Sequence, residues 1–107
     1  MTPVVRIAEI EIHPEHLETY RRLLTEEIEV SLALENGVLM LHAVALQDRP
    51  EKIVILESYA DRQSYEAHLQ TPHFLKYKAA TAGMIKSLAL RDVDPVAMRA
   101  KPAIAEP

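Results

Sequence analysis

The chain has 107 residues, a formal net charge of −4 and no cysteine. Without cysteine, the chain cannot form disulfides, thiolate nucleophiles or cysteine-bound metal sites, and a cytoplasmic location is the simplest expectation. The acidic balance argues against nucleic acid as a partner, because phosphate backbones attract basic surfaces. No apolar run approaches the roughly 20 residues of a membrane-spanning helix, and no signal peptide is expected. With two glycines, the chain lacks a glycine-rich phosphate loop, which argues against a nucleotide cofactor.

The first half of the chain reads as a strand followed by a long helix. Apolar and acidic residues alternate along residues 4–12, as expected of a strand with one buried face. Pro14 ends this strand, and apolar positions at helical spacing then predict a helix over about 14–35. Asn36 and Gly37 are typical of the left-handed residues that close a helix.

The second half predicts a β-hairpin, two short helices and a last strand. Asp61 and Thr71 are suited to cap the two helices, because their side-chain oxygens can accept hydrogen bonds from the free amides of a first turn. Three prolines after the last strand indicate an extended or disordered tail. The predicted ranges are strands 38–47 and 52–60, helices 61–69 and about 72–84, strand 85–93 and tail 94–107.

The order β-α-β-β-α-β is typical of a ferredoxin-like α+β sandwich, formed here by residues 1–93. In that fold the helices cover one face of an antiparallel sheet and leave the other face open. The central hairpin is nevertheless apolar on both faces. One face carries Val38, Met40, Val44 and Leu46, and the other carries Leu39, Leu41, Ala43 and Ala45. A second copy of the sheet is the simplest cover, so the sequence predicts a homodimer whose sheets pack face to face.

Residues 57–77 concentrate the aromatic and imidazole side chains of the chain. Four of its five aromatic residues and two of its five histidines lie there. His68 and His73 stand on either side of a break at Pro72, and an imidazole with a pKa near its ordinary value of about 6.5 is suited to be a general base. Their spacing does not place them on one helix face as paired metal ligands, so no metal is expected.

Further residues of this stretch and of the central strand are candidates for substrate contact. Tyr65, Phe74 and Tyr77 are expected to line a pocket, although aromatic residues in helices also form ordinary cores. Glu57 follows an apolar run and is expected either to orient a histidine or to reach solvent. His42 lies in an apolar strand and is expected to face a substrate or an interface.

The segment EAHLQTPHF, preceded by the strand IVILESYAD, resembles the antibiotic biosynthesis monooxygenase family, and in particular its small quinol monooxygenase type. The resemblance covers about residues 4–93, and the H-x-x-T-P-H pattern is its most specific part. The E-N-G turn at residues 35–37 is also similar. The resemblance implies a dimeric α+β barrel that oxygenates a quinol or polyphenol with dioxygen and uses no metal, flavin or haem.

The resemblance also implies roles for the candidate residues. His68 or His73 would remove a phenolic proton, with Glu57 as a possible partner. Tyr65, Phe74 and Tyr77 would hold the small aromatic substrate. This chemistry asks the protein only for a base, orientation and an apolar pocket that excludes water.

Two other functions remain open. The autoinducer-2-degrading branch of the family has a segment similar to the T-P-H at residues 71–73 and isomerises a phosphorylated, sugar-like compound. Such a substrate would need cations, and Arg6, Lys76 and Lys78 are available. Alternatively, a dimeric barrel of this type would bind a small apolar ligand without catalysis. The haem-degrading branch fits poorly, because the chain has no tryptophan.

Overall fold

The computed structural model describes residues 3–102 and confirms the ferredoxin-like α+β fold. The elements in chain order are β1 (Val4–Ile12), a 3₁₀ turn (Pro14–His16), α1 (Leu17–Leu34), β2 (Val38–Ala45), β3 (Lys52–Tyr59), α2 (Arg62–His68), α3 (Pro72–Thr81) and β4 (Ile85–Val93). The four strands form one antiparallel sheet in the order β2-β3-β1-β4. No helix within the described residues is both long and apolar enough to cross a membrane.

The predicted element types are confirmed, and the differences lie at the ends. The first residues of the predicted long helix form the 3₁₀ turn, with Pro14 at its first position. α3 ends at Thr81 rather than near Met84. The physical reason is a backbone hydrogen bond of 3.0 Å from the amide of His13 to the carbonyl of Met84, which ties this turn to the end of β1.

One half of the layer between sheet and helices is an apolar core. We call it the apolar half and define it by its buried members, which are Ala8, Ile10, Ile12, Tyr20, Leu24, Ile53 and Ile55. Ile12 and Tyr20 have no exposed surface. Each buried aliphatic side chain of this kind stabilises the fold by about 1.5–3 kcal/mol relative to an exposed one.

The end of α1 differs from the predicted left-handed closure. No residue within 3–102 has a positive φ, and Glu35 at the C-cap is extended. Gly37 is required instead by a close approach, because a Cβ atom placed there would lie 2.4 Å from the Cβ of Ser64 in α2. The chain therefore needs glycine at this position for space, so that α2 can lie against the start of β2.

The opposite face of the sheet is open and partly apolar. A register shift between Val38 and Met40 turns Val38 toward the helices, where it packs with Leu41 and Tyr59. The prediction that Val38 shares a face with Met40 and Val44 is therefore wrong. Val44, on the open face, is 64% exposed.

The segment after β4 contains no helix or strand within residues 94–102. Residues 95–99 line a groove together with Val5 and Ser58 at one end of the open face. Residues 103–107 of the predicted tail lie outside the described residues.

Candidate functional site

Two carboxylates and two imidazoles meet in the other half of the layer between sheet and helices. We call this group, formed by Glu27, Glu35, His68 and His73, the histidine cluster. α1 contributes Glu27 and its C-cap contributes Glu35, whereas His68 ends α2 and His73 lies in the first turn of α3. Glu27 and His68 are 7% and 3% exposed, so the cluster is largely shielded from water.

Both short helices are capped as predicted, and the caps position the histidines. The amide of Ser64 donates to Asp61 Oδ1 over 2.7 Å at the start of α2. At the start of α3, Thr71 Oγ1 accepts from the amide of Phe74 over 3.3 Å and donates to the carbonyl of His68 over 2.8 Å. The hydroxyl of Thr71 therefore joins the end of one histidine-bearing helix to the start of the next.

Glu35 holds the two imidazoles together. His73 Nε2 lies 2.6 Å from Glu35 Oε2, and His68 Nδ1 lies 3.0 Å from the same oxygen and 3.2 Å from Oε1. Burial alone would raise the pKa of Glu35, but the hydrogen bonds from His73 and His68 outweigh it, and the pKa is lowered. Glu35 is therefore an ionised acceptor, and each histidine presents an N–H to it.

The second carboxylate of the histidine cluster faces the other side of His68. Glu27 Oε1 lies 3.9 Å from His68 Nε2 and accepts a hydrogen bond of 2.6 Å from Ser31 Oγ. Glu27, His68 and His73 each offer one ligand atom, and the three atoms lie within 4.8 Å of one another. This arrangement can hold a proton or a cation between the carboxylate and the imidazoles.

Aromatic rings surround the buried imidazole. The centroid of the His68 ring lies 5.0 Å from that of Phe74 and 5.4 Å from that of Tyr59. Tyr59 packs edge-on against Tyr65, with ring centroids 5.1 Å apart, and the ring centroids of Phe74 and Tyr77 are 6.1 Å apart. The three aromatic residues predicted to line a pocket thus form one continuous chain of contacts with His68.

A carboxyl group and a guanidinium lie beside this aromatic chain. Arg6 donates to the hydroxyl of Tyr65, and its Nε lies 3.1 Å from Asp92 Oδ1. Glu57 Oε1 accepts a hydrogen bond of 2.8 Å from the hydroxyl of Tyr59. Burial raises the pKa of Glu57, although the hydrogen bond from Tyr59 opposes this rise.

Two predicted contacts are placed elsewhere. The carboxylate that hydrogen-bonds the histidines is Glu35, whereas Glu57 bonds to Tyr59. His42 is exposed on the open face. The preceding residue of the strand, Leu41, points toward the helices, and successive side chains of a strand point to opposite faces. His42 is therefore not part of the histidine cluster.

The sequence reasoning missed both glutamates of the histidine cluster. Glu27 lies three residues after Leu24 and four before Ser31, which places it on the buried stripe of α1. A charged residue on an apolar stripe was the available signal. Glu35 carried a weaker signal, since an acidic residue before a turn is ordinary.

The chain belongs to the antibiotic biosynthesis monooxygenase family, whose model matches residues 3–80. This agrees with the fold and with the resemblance of the segment around His68 and His73.

Several solved structures are similar to this chain. A protein from Bacteriodes thetaiotaomicron, whose name places it provisionally among the antibiotic biosynthesis monooxygenases, is 48% identical with a TM-score of 0.90, over 95% of this chain and 97% of that one. A protein from Lactobacillus acidophilus, named provisionally as a monooxygenase, is 28% identical with a TM-score of 0.83, over 84% of this chain and 43% of that one. A Nitrosomonas europaea protein with 22% identity and a TM-score of 0.77, over 85% and 86% of the two chains, shares the fold. No curated protein is significantly similar to this chain.

Proposed function

We propose that this protein is a monooxygenase that oxidises a quinol or polyphenol-type aromatic with dioxygen, without metal, flavin or haem. A histidine of the histidine cluster acts as the general base. The observation that carries the proposal is the carboxylate of Glu35 within hydrogen-bond distance of both His68 and His73. A carboxylate that accepts one N–H of an imidazole leaves the other nitrogen free to take a proton.

The proposed reaction needs no electrons from outside the substrate. An imidazole removes the proton of a phenolic hydroxyl, and the resulting anion reduces dioxygen. One oxygen atom then bonds to a ring carbon and the other leaves as water, so that a hydroquinone becomes a hydroxylated quinone. All four electrons taken by dioxygen come from the quinol.

The surroundings of His68 suit such a substrate. Phe74 and Tyr65, which are half-buried next to the buried His68 and Tyr59, would offer ring surface for stacking against a planar substrate. Tyr59 donates a hydrogen bond to the half-buried Glu57, and burial raises the pKa of Tyr59 above that of a free phenol, with Glu57 adding to the rise. A bound quinol would therefore be deprotonated in preference to this tyrosine.

We also propose that the protein is a homodimer that joins through the open faces of two sheets. Val44 on the open face is 64% exposed, and Val54 and Leu56 of β3, which lie on the same face, are half-buried. Apolar side chains in this number favour a protein partner over solvent. Sedimentation should show a dimer, and Val44→Glu should shift it toward monomer. A wild-type monomer at micromolar concentration would contradict this proposal.

Oxygen uptake by metal-free protein with a panel of hydroquinones and naphthoquinols tests the proposed reaction. Wild-type protein should exceed the autoxidation rate, and His68→Ala or His73→Ala should lower its turnover by about 10²–10⁴-fold, the contribution of a positioned general base. His16→Ala, in the 3₁₀ turn, is the matched control. Wild-type turnover in both cluster variants would contradict the proposed base.

A second candidate is an isomerase of a phosphorylated, sugar-like compound. Arg6 favours it, because this guanidinium lies beside the aromatic chain, 4.8 Å from the centre of the Tyr65 ring, where an anionic group that displaced Asp92 would meet its charge. Isomerisation of such a compound, lost in Arg6→Gln and accompanied by no quinol oxidation, would favour this function. Tight binding of an aromatic compound with no turnover of either substrate would indicate a non-catalytic ligand-binding protein.

A further inference from the structure

A carboxylate faces each ring nitrogen of His68, but only the carboxylate of Glu35 is within hydrogen-bond distance. Nδ1 of His68 lies 3.0 Å from Glu35 Oε2, and a carboxylate oxygen accepts, so Nδ1 carries the hydrogen that points to it. In a neutral imidazole, Nε2 then presents a lone pair. That lone pair faces Glu27 Oε1 at 3.9 Å, which is too long for a direct hydrogen bond.

The carboxylate of Glu27 has a hydrogen-bond donor in Ser31 but none in His68. Its Oε1 already accepts from Ser31, and the residue is 7% exposed. A buried carboxylate that faces an imidazole lone pair is costly unless a positive charge lies between them. A cation bound between the two side chains would supply that charge.

A third ligand atom lies close enough to complete a cation site. One nitrogen of His73 lies within 4.8 Å of the ligand atoms of Glu27 and His68. Two imidazoles and one carboxylate are a common ligand set for zinc and related divalent transition metals. Ligand atoms around a tetrahedral zinc ion are ~3.4 Å apart, given bonds of about 2.0–2.1 Å, so closure needs shifts of about 1 Å.

Glu35 and Ser31 hydrogen-bond to two of the three potential metal ligands and would hold them in orientation. A metal-bound histidine ordinarily donates its other ring N–H to a carboxylate, which fixes the ring and its tautomer. Glu35 receives this N–H from His68 at 3.0 Å. Ser31 in turn orients the carboxylate of Glu27 by a hydrogen bond of 2.6 Å.

We propose that Glu27, His68 and His73 bind one divalent transition-metal ion of the Zn²⁺ class. This departs from the expectation drawn from the spacing of the two histidines, because the third ligand comes from α1. Metal binding stands independently of the proposed reaction. One consequence rests on that reaction: a metal bound to both histidines occupies the base, so the ion inhibits quinol oxidation.

Titration of full-length, metal-stripped protein with Co²⁺ tests the site, because bound Co²⁺ gives visible absorption bands that report its ligands. We expect one equivalent to bind with such bands, and Zn²⁺ to displace it. Glu27→Gln keeps an oxygen for Ser31 but loses the charge, and should weaken binding by at least roughly tenfold. Glu26→Gln, a neighbouring exposed glutamate on α1, is the matched control and should bind as wild type does.

Thermal unfolding provides a second readout that does not depend on activity. An ion that binds the folded state raises the unfolding midpoint. Excess Zn²⁺ should raise the midpoint of wild-type and Glu26→Gln protein, and raise that of Glu27→Gln much less. This comparison also shows whether each variant is folded before metal is added.

The outcomes separate the site from the reaction. Absence of a one-to-one Co²⁺ complex, or equal binding by wild type and Glu27→Gln, would overturn the metal site. Loss of binding in a His13→Ala/His16→Ala variant, with no loss in Glu27→Gln, would place the ion at the 3₁₀ turn and overturn it equally. Binding as expected supports the site whether or not the protein oxidises quinols. Inhibition by Zn²⁺ that chelation reverses supports its regulatory consequence.

Discussion

The two halves of the layer between sheet and helices are built from the same elements but differ in chemistry. On β1, Ile10 belongs to the apolar half, whereas Arg6 lies beside Tyr65. On β3, Ile55 contributes to the apolar half, whereas Glu57, two residues later on the same face, is a half-buried carboxyl group. Two to four residues along each strand therefore separate the core from the candidate site.

This difference teaches which half the fold depends on. Burial of apolar surface stabilises the chain, whereas a buried polar group costs free energy unless its hydrogen bonds are made. The histidine cluster meets this cost with the contacts of Glu35 and Ser31. Such a group contributes little net stability, and clusters of ionisable side chains shielded from water are typical of functional sites.

The largest expected effect on stability lies in the apolar half. Leu24→Ala should lower the free energy of unfolding by about 2–5 kcal/mol, because it leaves a cavity in the core. Leu34→Ala, the same change at a 72% exposed position of α1, should cost less than about 0.5 kcal/mol. Chemical denaturation measures both. Equal losses would contradict the assignment of the core, and turnover per folded molecule should stay unchanged in both variants.

A smaller loss of stability is expected in the half that holds the histidine cluster when a hydrogen-bond donor is removed. Ser31→Ala leaves the buried Glu27 without its hydroxyl partner and should destabilise the fold by about 1–3 kcal/mol. Thr25→Ala is the control, since its hydroxyl bonds to the carbonyl of Arg21 at the exposed surface. Denaturation that finds Ser31→Ala no costlier than Thr25→Ala would show that Glu27 does not need this donor.

A third test addresses the boundary between the halves. The hydroxyls of Tyr20 and Tyr77 lie 2.6 Å apart. Tyr20→Phe and Tyr77→Phe should each cost about 1 kcal/mol, and the double variant less than the sum, because the second change removes an already unpaired hydroxyl. A double-mutant cycle from denaturation curves measures this coupling. Strict additivity would contradict a direct hydrogen bond.

The smallest effect is expected at the cap of α2. The hydrogen bond from Ser64 lowers the pKa of Asp61 in the folded protein. The ionised Asp61 therefore stabilises the fold fully above the unfolded-state pKa of about 3.9, and this stabilisation is lost as the pH falls through the lowered folded-state value. Asp61→Ala should therefore lower the unfolding midpoint at pH 7, and by less in acid. Asp94→Ala, an exposed aspartate after β4, is the control. A deficit that stays constant with pH would contradict an ionised cap.

The fold followed from the sequence because its signals were local. Alternation along β1, helical spacing along α1 and the caps at Asp61 and Thr71 each depend on neighbouring residues. The register shift after Val38 and the close approach of Gly37 to Ser64 did not follow, because both arise where separate elements pack.

The site was only half predictable for the same reason. His68, His73 and the aromatic residues lie in one continuous segment, and the structure brings them together. Glu35, which joins both histidines, lies 33 residues before His68 in the chain. A contact of that separation leaves no periodic signal, and so the sequence offered Glu57 as the partner instead.

Oxygen uptake by Glu35→Gln with a quinol that the wild-type protein oxidises tests the central claim most directly. The substitution keeps the size of the side chain but removes the charge that accepts from both histidines. We predict a fall in kcat of at least roughly tenfold, with KM changed little and folding verified by circular dichroism. A wild-type kcat in Glu35→Gln would contradict the claim that Glu35 and its two histidines form the base of this enzyme.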